Sequence, residues 1–138
     1  MGNESTRGSA TPVAPDPRPT VVEIDGTSRI SGSRCSACGY PNPSALERCP
    51  LCAAQCALTE FGPGATVFAA TVLRVPVPGR TPPYALAYVD LDDGPRILAH
   101  VEGTDTALVP GDRVRVIGVT AQGDPFVAPD SSINERSE

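Results

Sequence analysis

The chain has 138 residues, a formal net charge of −5 and 40% hydrophobic residues, which suits one small domain, or a small domain with a mini-domain attached. All 11 basic residues are arginine and none gather into the basic stripe of a phosphate-gripping protein, so nucleic-acid binding is not expected. The first 20 residues lack the apolar core of a secretion signal, and no apolar run approaches the roughly 18 residues that span a membrane, so a cytoplasmic location away from membranes is expected.

Residues 1–20 are rich in Pro, Ser, Thr and Gly, with few large apolar side chains. Such a segment buries too little surface to offset its ordering entropy, and a disordered tail is expected there. Val21-Val22-Glu23-Ile24 reads as a short strand or partner-binding segment leading into the next unit, residues 21–61.

That unit carries Cys35-Ser-Ala-Cys38 and Cys49-Pro-Leu-Cys52, two Cys-x-x-Cys pairs ten residues apart. Each pair can form a tight turn with both thiolates aimed at one centre. Two such turns supply the closed four-sulfur shell of structural zinc, although the same shell suits iron. Gly39 and Pro50 favour the turns, and Pro41-Asn42-Pro43 argues against a helix between them. A rubredoxin-like zinc ribbon of short hairpins is expected, with Cys35, Cys38, Cys49 and Cys52 as ligands. A full thiolate shell leaves no open position for a reacting water. Cys56, four residues further on, reads as a small apolar residue outside the site.

Gly62-Pro63-Gly64 is a linker signal, and the pattern then changes. Five strands are predicted over 65–75, 84–91, 95–102, 112–120 and 125–128. Arg113-Val114-Arg115-Val116 alternates strictly, and Asp92-Asp93-Gly94 is a hairpin turn. The segment 103–111 is too short and broken for a long helix. The chain thus reads as mainly β, with a small five-stranded Greek-key barrel of the OB type over 62–129 and a polar, disordered tail over 130–138.

Few barrel residues invite chemistry. His100, the single histidine, lies in an alternating strand and reads as a surface or interface residue. Asp92 and Asp93 serve the turn, whereas Asp90 precedes it on a strand and is free to face a partner. Tyr84 and Tyr88 share one strand face, behind the rigid Pro82-Pro83. With Arg96, these residues form the candidate interface for a partner: Pro82, Pro83, Tyr84, Tyr88, Asp90 and Arg96. No nucleophile–base pair, phosphate loop or open metal site supports a stand-alone enzyme, and no catalytic residue is assigned.

Residues of about 33–128 resemble the zinc-ribbon plus OB-fold family of acyl-CoA-associated proteins. The carrying features run in order: Arg34-Cys35-x-x-Cys38-Gly39, Cys49-Pro50-x-Cys52 and the Gly-Pro-Gly linker, followed by Thr81-Pro82-Pro83-Tyr84, Ala87-Tyr88-Val89-Asp90-Leu91-Asp92-Asp93-Gly94, Pro110-Gly111-Asp112-Arg113-Val114 and Pro125-Phe126-x-x-Pro129. The resemblance implies a non-catalytic accessory subunit of a thiolase-like enzyme that makes or breaks carbon–carbon bonds on acyl-CoA. It implies a hetero-oligomer, CoA lying across the interface, and in some relatives a hot-dog-fold hydratase as a further partner. The helical segment that often precedes the ribbon is replaced here by the Pro-rich tail. A single-stranded nucleic-acid binder is the alternative for an OB barrel, but residues 62–128 hold five Arg against seven acidic residues and four aromatics. That composition offers neither a basic groove nor a stacking platform.

Overall fold

A computed structural model describes residues 18–76, 78–103 and 107–130. The tails expected at the two ends of the chain therefore fall almost wholly outside the described residues. Among these residues there are nine strands and no helix.

The first sheet is built on a strand that the sequence reading did not separate from the metal segment. β1 (Thr20–Ile24) and β2 (Thr27–Cys35) pair as an antiparallel hairpin. The turn is Asp25-Gly26, with φ of 53° and 78°, the two left-handed residues that a two-residue hairpin turn requires. β1 and the short β3 (Pro41–Asn42) line one edge of β2. β4 (Cys56–Phe61) lines the other, in a register running from Cys35↔Cys56 to Ile30↔Phe61. At the crowded centre only a glycine fits: a Cβ on Gly32 would lie 2.3 Å from the Asn42 carbonyl oxygen and 2.9 Å from the Phe61 ring. Ser33 is fully buried and satisfied, donating to the Ser44 carbonyl at 2.7 Å and accepting from the Leu46 amide at 3.2 Å.

The expected barrel follows. β5 (Gly64–Leu73), β6 (Tyr84–Leu91), β7 (Arg96–Val101), β8 (Arg113–Val119) and β9 (Pro125–Pro129) close in the order β5-β6-β7-β9-β8, with β8 returning to β5. β7 and β9 are parallel and the other neighbours antiparallel, as in an OB-type barrel. The inward positions are mainly alanine and valine, such as Ala65, Val67, Ala87, Val89, Val114 and Val127. Side chains of this size fill a five-stranded barrel without leaving a channel.

The sheet and the barrel share one core. Ile30 and Phe61, on β2 and β4, belong to the same buried cluster as the barrel valines. Gly62-Pro63-Gly64 is a bonded joint: Arg29 Nη1 donates to the Gly62 carbonyl, the Val116 amide to Pro63 at 2.8 Å and the Asp92 amide to Gly64 at 3.0 Å. Gly94 gives Phe61 its space, since a Cβ there would lie 2.7 Å from the ring. Arg34 covers the same ring with its guanidinium 5.4 Å from the centroid and donates to the Asp93 carbonyl. Burying a side chain the size of Phe61 contributes roughly 1.5–3 kcal/mol, here across the joint.

Candidate metal centre and outer barrel face

The four paired cysteines converge. Their sulfurs all lie within 4.8 Å of one another, and no other cysteine belongs to the group. Cys35 and Cys52 Sγ are 3.5 Å apart, and Cys38 and Cys49 Sγ are 3.7 Å apart. A tetrahedron with metal–sulfur bonds near 2.3 Å has edges of roughly 3.8 Å. The donor set and spacing therefore fit one four-coordinate ion.

The two turns repeat one geometry. The Cys35 amide donates to the Tyr40 carbonyl (3.0 Å) and Gly39 donates back to Cys35 (3.1 Å); the Cys49 amide donates to Ala54 (2.8 Å) and Ala53 donates back to Cys49 (2.9 Å). Gly39 and Ala53 thus hold equivalent places, both left-handed, with φ of 80° and 66°. Amides also point at sulfur: Ala37 and Cys38 donate to Cys35 Sγ and Leu51 donates to Cys49 Sγ, each at 3.3 Å. The Cys38 amide is the largest influence in pulling the Cys35 thiol down to about 6, against the effect of burial. The Tyr40 amide lowers Cys38, but burial and the neighbouring sulfurs push it up to about 12. Four crowded sulfurs cannot all become thiolates unless a cation compensates them. Cys56 sits opposite Cys35 in the β2–β4 register, outside the four, and burial pushes its thiol up.

The candidate interface residues divide into two groups. Asp90 and Arg96 face each other across β6 and β7 as a two-bond pair at 2.6 and 3.1 Å. The Arg96 guanidinium lies 3.4 Å from the centroid of Phe68. Tyr84 stacks on His100 with centroids 5.9 Å apart and planes inclined by 22°. Tyr88 is exposed between these groups, while Pro82 and Pro83 lie just before β6.

His100 belongs to a cluster that the sequence did not reveal. Its Nε2 lies 3.3 Å from Asp124 Oδ2, which also accepts from Arg80, while Asp124 Oδ1 lies 3.2 Å from Arg18. Gln122 donates to the Gly79 carbonyl and accepts through its own carbonyl from Arg18. The cluster joins residues distant in sequence, so no local pattern points to it. Asp124 is already engaged by two arginines, and this arrangement fastens the loops before β6 and β9 together.

Arg113 makes a two-bond pair with Asp92, and Arg115 is exposed. The outward apolar residues Phe68, Leu86 and Leu98 were also missed as site candidates. On β6 the signal is Leu86 and Tyr88 alternating with buried Ala85, Ala87 and Val89, whereas on β7 Leu98 stands between Arg96 and His100 and gives none.

With this geometry in view, residues 58–119 match the family model described as the ChsH2 C-terminal OB-fold domain. The fold resembles a solved structure titled "Ltp2-ChsH2(DUF35) aldolase", with a TM-score of 0.61, 24% identity, and coverage of 73% of this chain and 84% of that one. It also resembles a protein of unknown function from the DUF35 family of Sulfolobus solfataricus, with a TM-score of 0.56, 21% identity, and coverage of 74% and 76%. At these identities the two structures show a common fold. No curated protein sequence matches the chain. No helix among the described residues is long and apolar enough to cross a membrane.

Proposed function

We propose, for a chain whose barrel matches the family model of the ChsH2 C-terminal OB-fold domain, that it is a non-catalytic accessory subunit of a thiolase-like enzyme acting on acyl-CoA. The observation that carries this reading is the match of residues 58–119 to that domain, on a barrel whose fold is shared with the ChsH2-containing aldolase structure. The partner performs the carbon–carbon bond chemistry, of aldolase, thiolase, synthase or acyltransferase type. This chain binds and stabilises it and helps position CoA at the shared interface.

The metal in this reading is zinc, held by Cys35, Cys38, Cys49 and Cys52 as a fold element. A four-thiolate shell stabilises the two turns and offers no exchangeable position. The chain's own residues then act by holding shape: the turns anchor the end of β2 and the start of β4, and those strands carry Ile30 and Phe61 into the barrel core.

The experiment is co-purification of the tagged full chain from its native extract. A thiolase-like protein retained in defined stoichiometry supports the proposal. Its absence under conditions that keep the metal bound removes it.

A further inference from the structure

We propose that the catalytic subunit docks on the outer face of β5, β6 and β7, through an apolar, uncharged ridge of its own; this rests on the accessory-subunit reading above. The face begins at an irregularity in β5. The β5–β6 register shifts between Val67 and Ala69, leaving Phe68 as the extra residue and exposed. Beyond that bulge Ala69, Thr71 and Leu73 share the outer face with Leu86 and Tyr88 of β6 and Leu98 of β7. The rows are set by register: Ala69 against Tyr88 against Leu98, then Thr71 against Leu86 against His100. Ala69, Thr71, Leu73, Leu86, Tyr88 and Leu98 line a shallow groove of about 370 Å³. Phe68, Tyr88 and Leu98 are 50%, 49% and 44% exposed. A contiguous apolar patch on so small a barrel marks a contact surface.

The charges decide what fits it. β5 carries no charged residue. Apart from His100, β6 and β7 carry only Asp90 and Arg96, which pair with each other at one end of the face. At the other end His100 faces Asp124, which holds Arg80 and Arg18. One border is thus neutral, and at the other both arginines are engaged by Asp124. A nucleic-acid backbone or an anionic membrane needs cations free to replace its counterions, and these strands offer none. A protein surface needs an apolar centre, aromatic anchors and a rim of satisfied polar groups, and that is the arrangement present.

The test uses the full, metal-loaded chain and the thiolase-like subunit that co-purifies with it, identified by mass spectrometry and then produced separately. Binding is measured for the wild type, for Leu98→Glu and Tyr88→Glu, and for Val119→Glu, which places the same charge at an exposed apolar position on β8. Thermal melting confirms that each variant is folded. The expected result is a loss of about 30-fold or more in affinity for Leu98→Glu and Tyr88→Glu, with Val119→Glu close to wild type. Wild-type affinity in both face variants overturns this docking face while leaving the accessory role intact. Failure of the wild-type chain to bind any thiolase-like subunit overturns both. A wild-type homodimer dissolved by Leu98→Glu would assign the face to a second copy and overturn the proposal, as would a salt-sensitive oligonucleotide complex lost in the same variant.

Discussion

Arg113 closes over Gly64 onto Asp92, its Nη1 and Nη2 each 2.8 Å from a separate carboxylate oxygen. Nη1 also donates to the Thr66 hydroxyl at 2.8 Å. A Cβ at Gly64 would stand 2.5 Å from Asp92 Oδ2 and 2.7 Å from Arg113 Nη2. Asp92 is half exposed, so the pair alone adds less than about 1 kcal/mol. Gly64→Val is therefore expected to cost more than Asp92→Asn, about 1–3 kcal/mol. Urea denaturation of both variants checks this order, and equal losses would show that the glycine is not needed for the close approach.

Ala53 occupies in the second cysteine turn the left-handed position that Gly39 occupies in the first. An alanine there costs roughly 1 kcal/mol relative to glycine. Ala53→Gly is expected to stabilise the metal-loaded chain by about 0.5–1 kcal/mol and Gly39→Ala to destabilise it by a similar amount. Melting temperatures of the two variants should move in opposite directions.

Asp124 is largely buried and bridges Arg18, Arg80 and His100. Burial raises its carboxyl, but the bonds and charges of its cationic neighbours outweigh this and hold it below the usual 3.8. Its contribution to stability is present above that value and is lost as pH falls through the lower folded value. His100 is held below its ordinary 6.5 chiefly by burial, with Arg80 adding to the shift and Asp124 opposing it. The unfolded chain therefore takes up the histidine proton first, and stability declines as pH falls below 6.5. Urea midpoints should drop between about pH 7 and about pH 5 in the wild type, and less so in His100→Gln. An unchanged slope in that variant would remove His100 from the account. Asp124→Asn should cost about 1–3 kcal/mol at neutral pH.

Elemental analysis of the full chain should find one zinc, retained in Cys56→Ser and lost in Cys35→Ser or Cys52→Ser. Structural zinc contributes roughly 10–16 kcal/mol in finger-sized peptides. Because Ile30 and Phe61 lie in the barrel's own core, chelation should also lower the melting temperature of the barrel. A barrel transition indifferent to the metal would separate the two units energetically.

The barrel strands were legible because inward Ala, Val and Leu alternate from Tyr84 to Leu91 and again from Arg113 to Val116. The four ligands were legible because spacing alone brings both sulfurs of a Cys-x-x-Cys turn to one point. β2 was not: Thr-Ser-Arg-Ile-Ser-Gly-Ser-Arg-Cys has one large apolar residue, and the strand exists because both its edges are paired and Gly32 lets its neighbours close in. The Asp124 cluster and the β5 part of the outer face stayed hidden for another reason. The first gathers Arg18, Arg80, His100 and Asp124 from four separated segments, and the second depends on the bulge at Phe68, which no composition signal marks.

The central claim is that this chain works as the accessory partner of a thiolase-like enzyme. Reconstitution tests it most directly: acyl-CoA turnover is measured for the thiolase-like subunit alone, for this chain alone, and for the two mixed, with the complex followed by light scattering. The account predicts a stable hetero-oligomer, no turnover by this chain alone, and turnover at least about tenfold higher in the mixture than in the isolated subunit, equivalent to about 1.4 kcal/mol of barrier. Turnover by this chain alone, or a catalytic subunit equally active without it and forming no complex, would contradict the account.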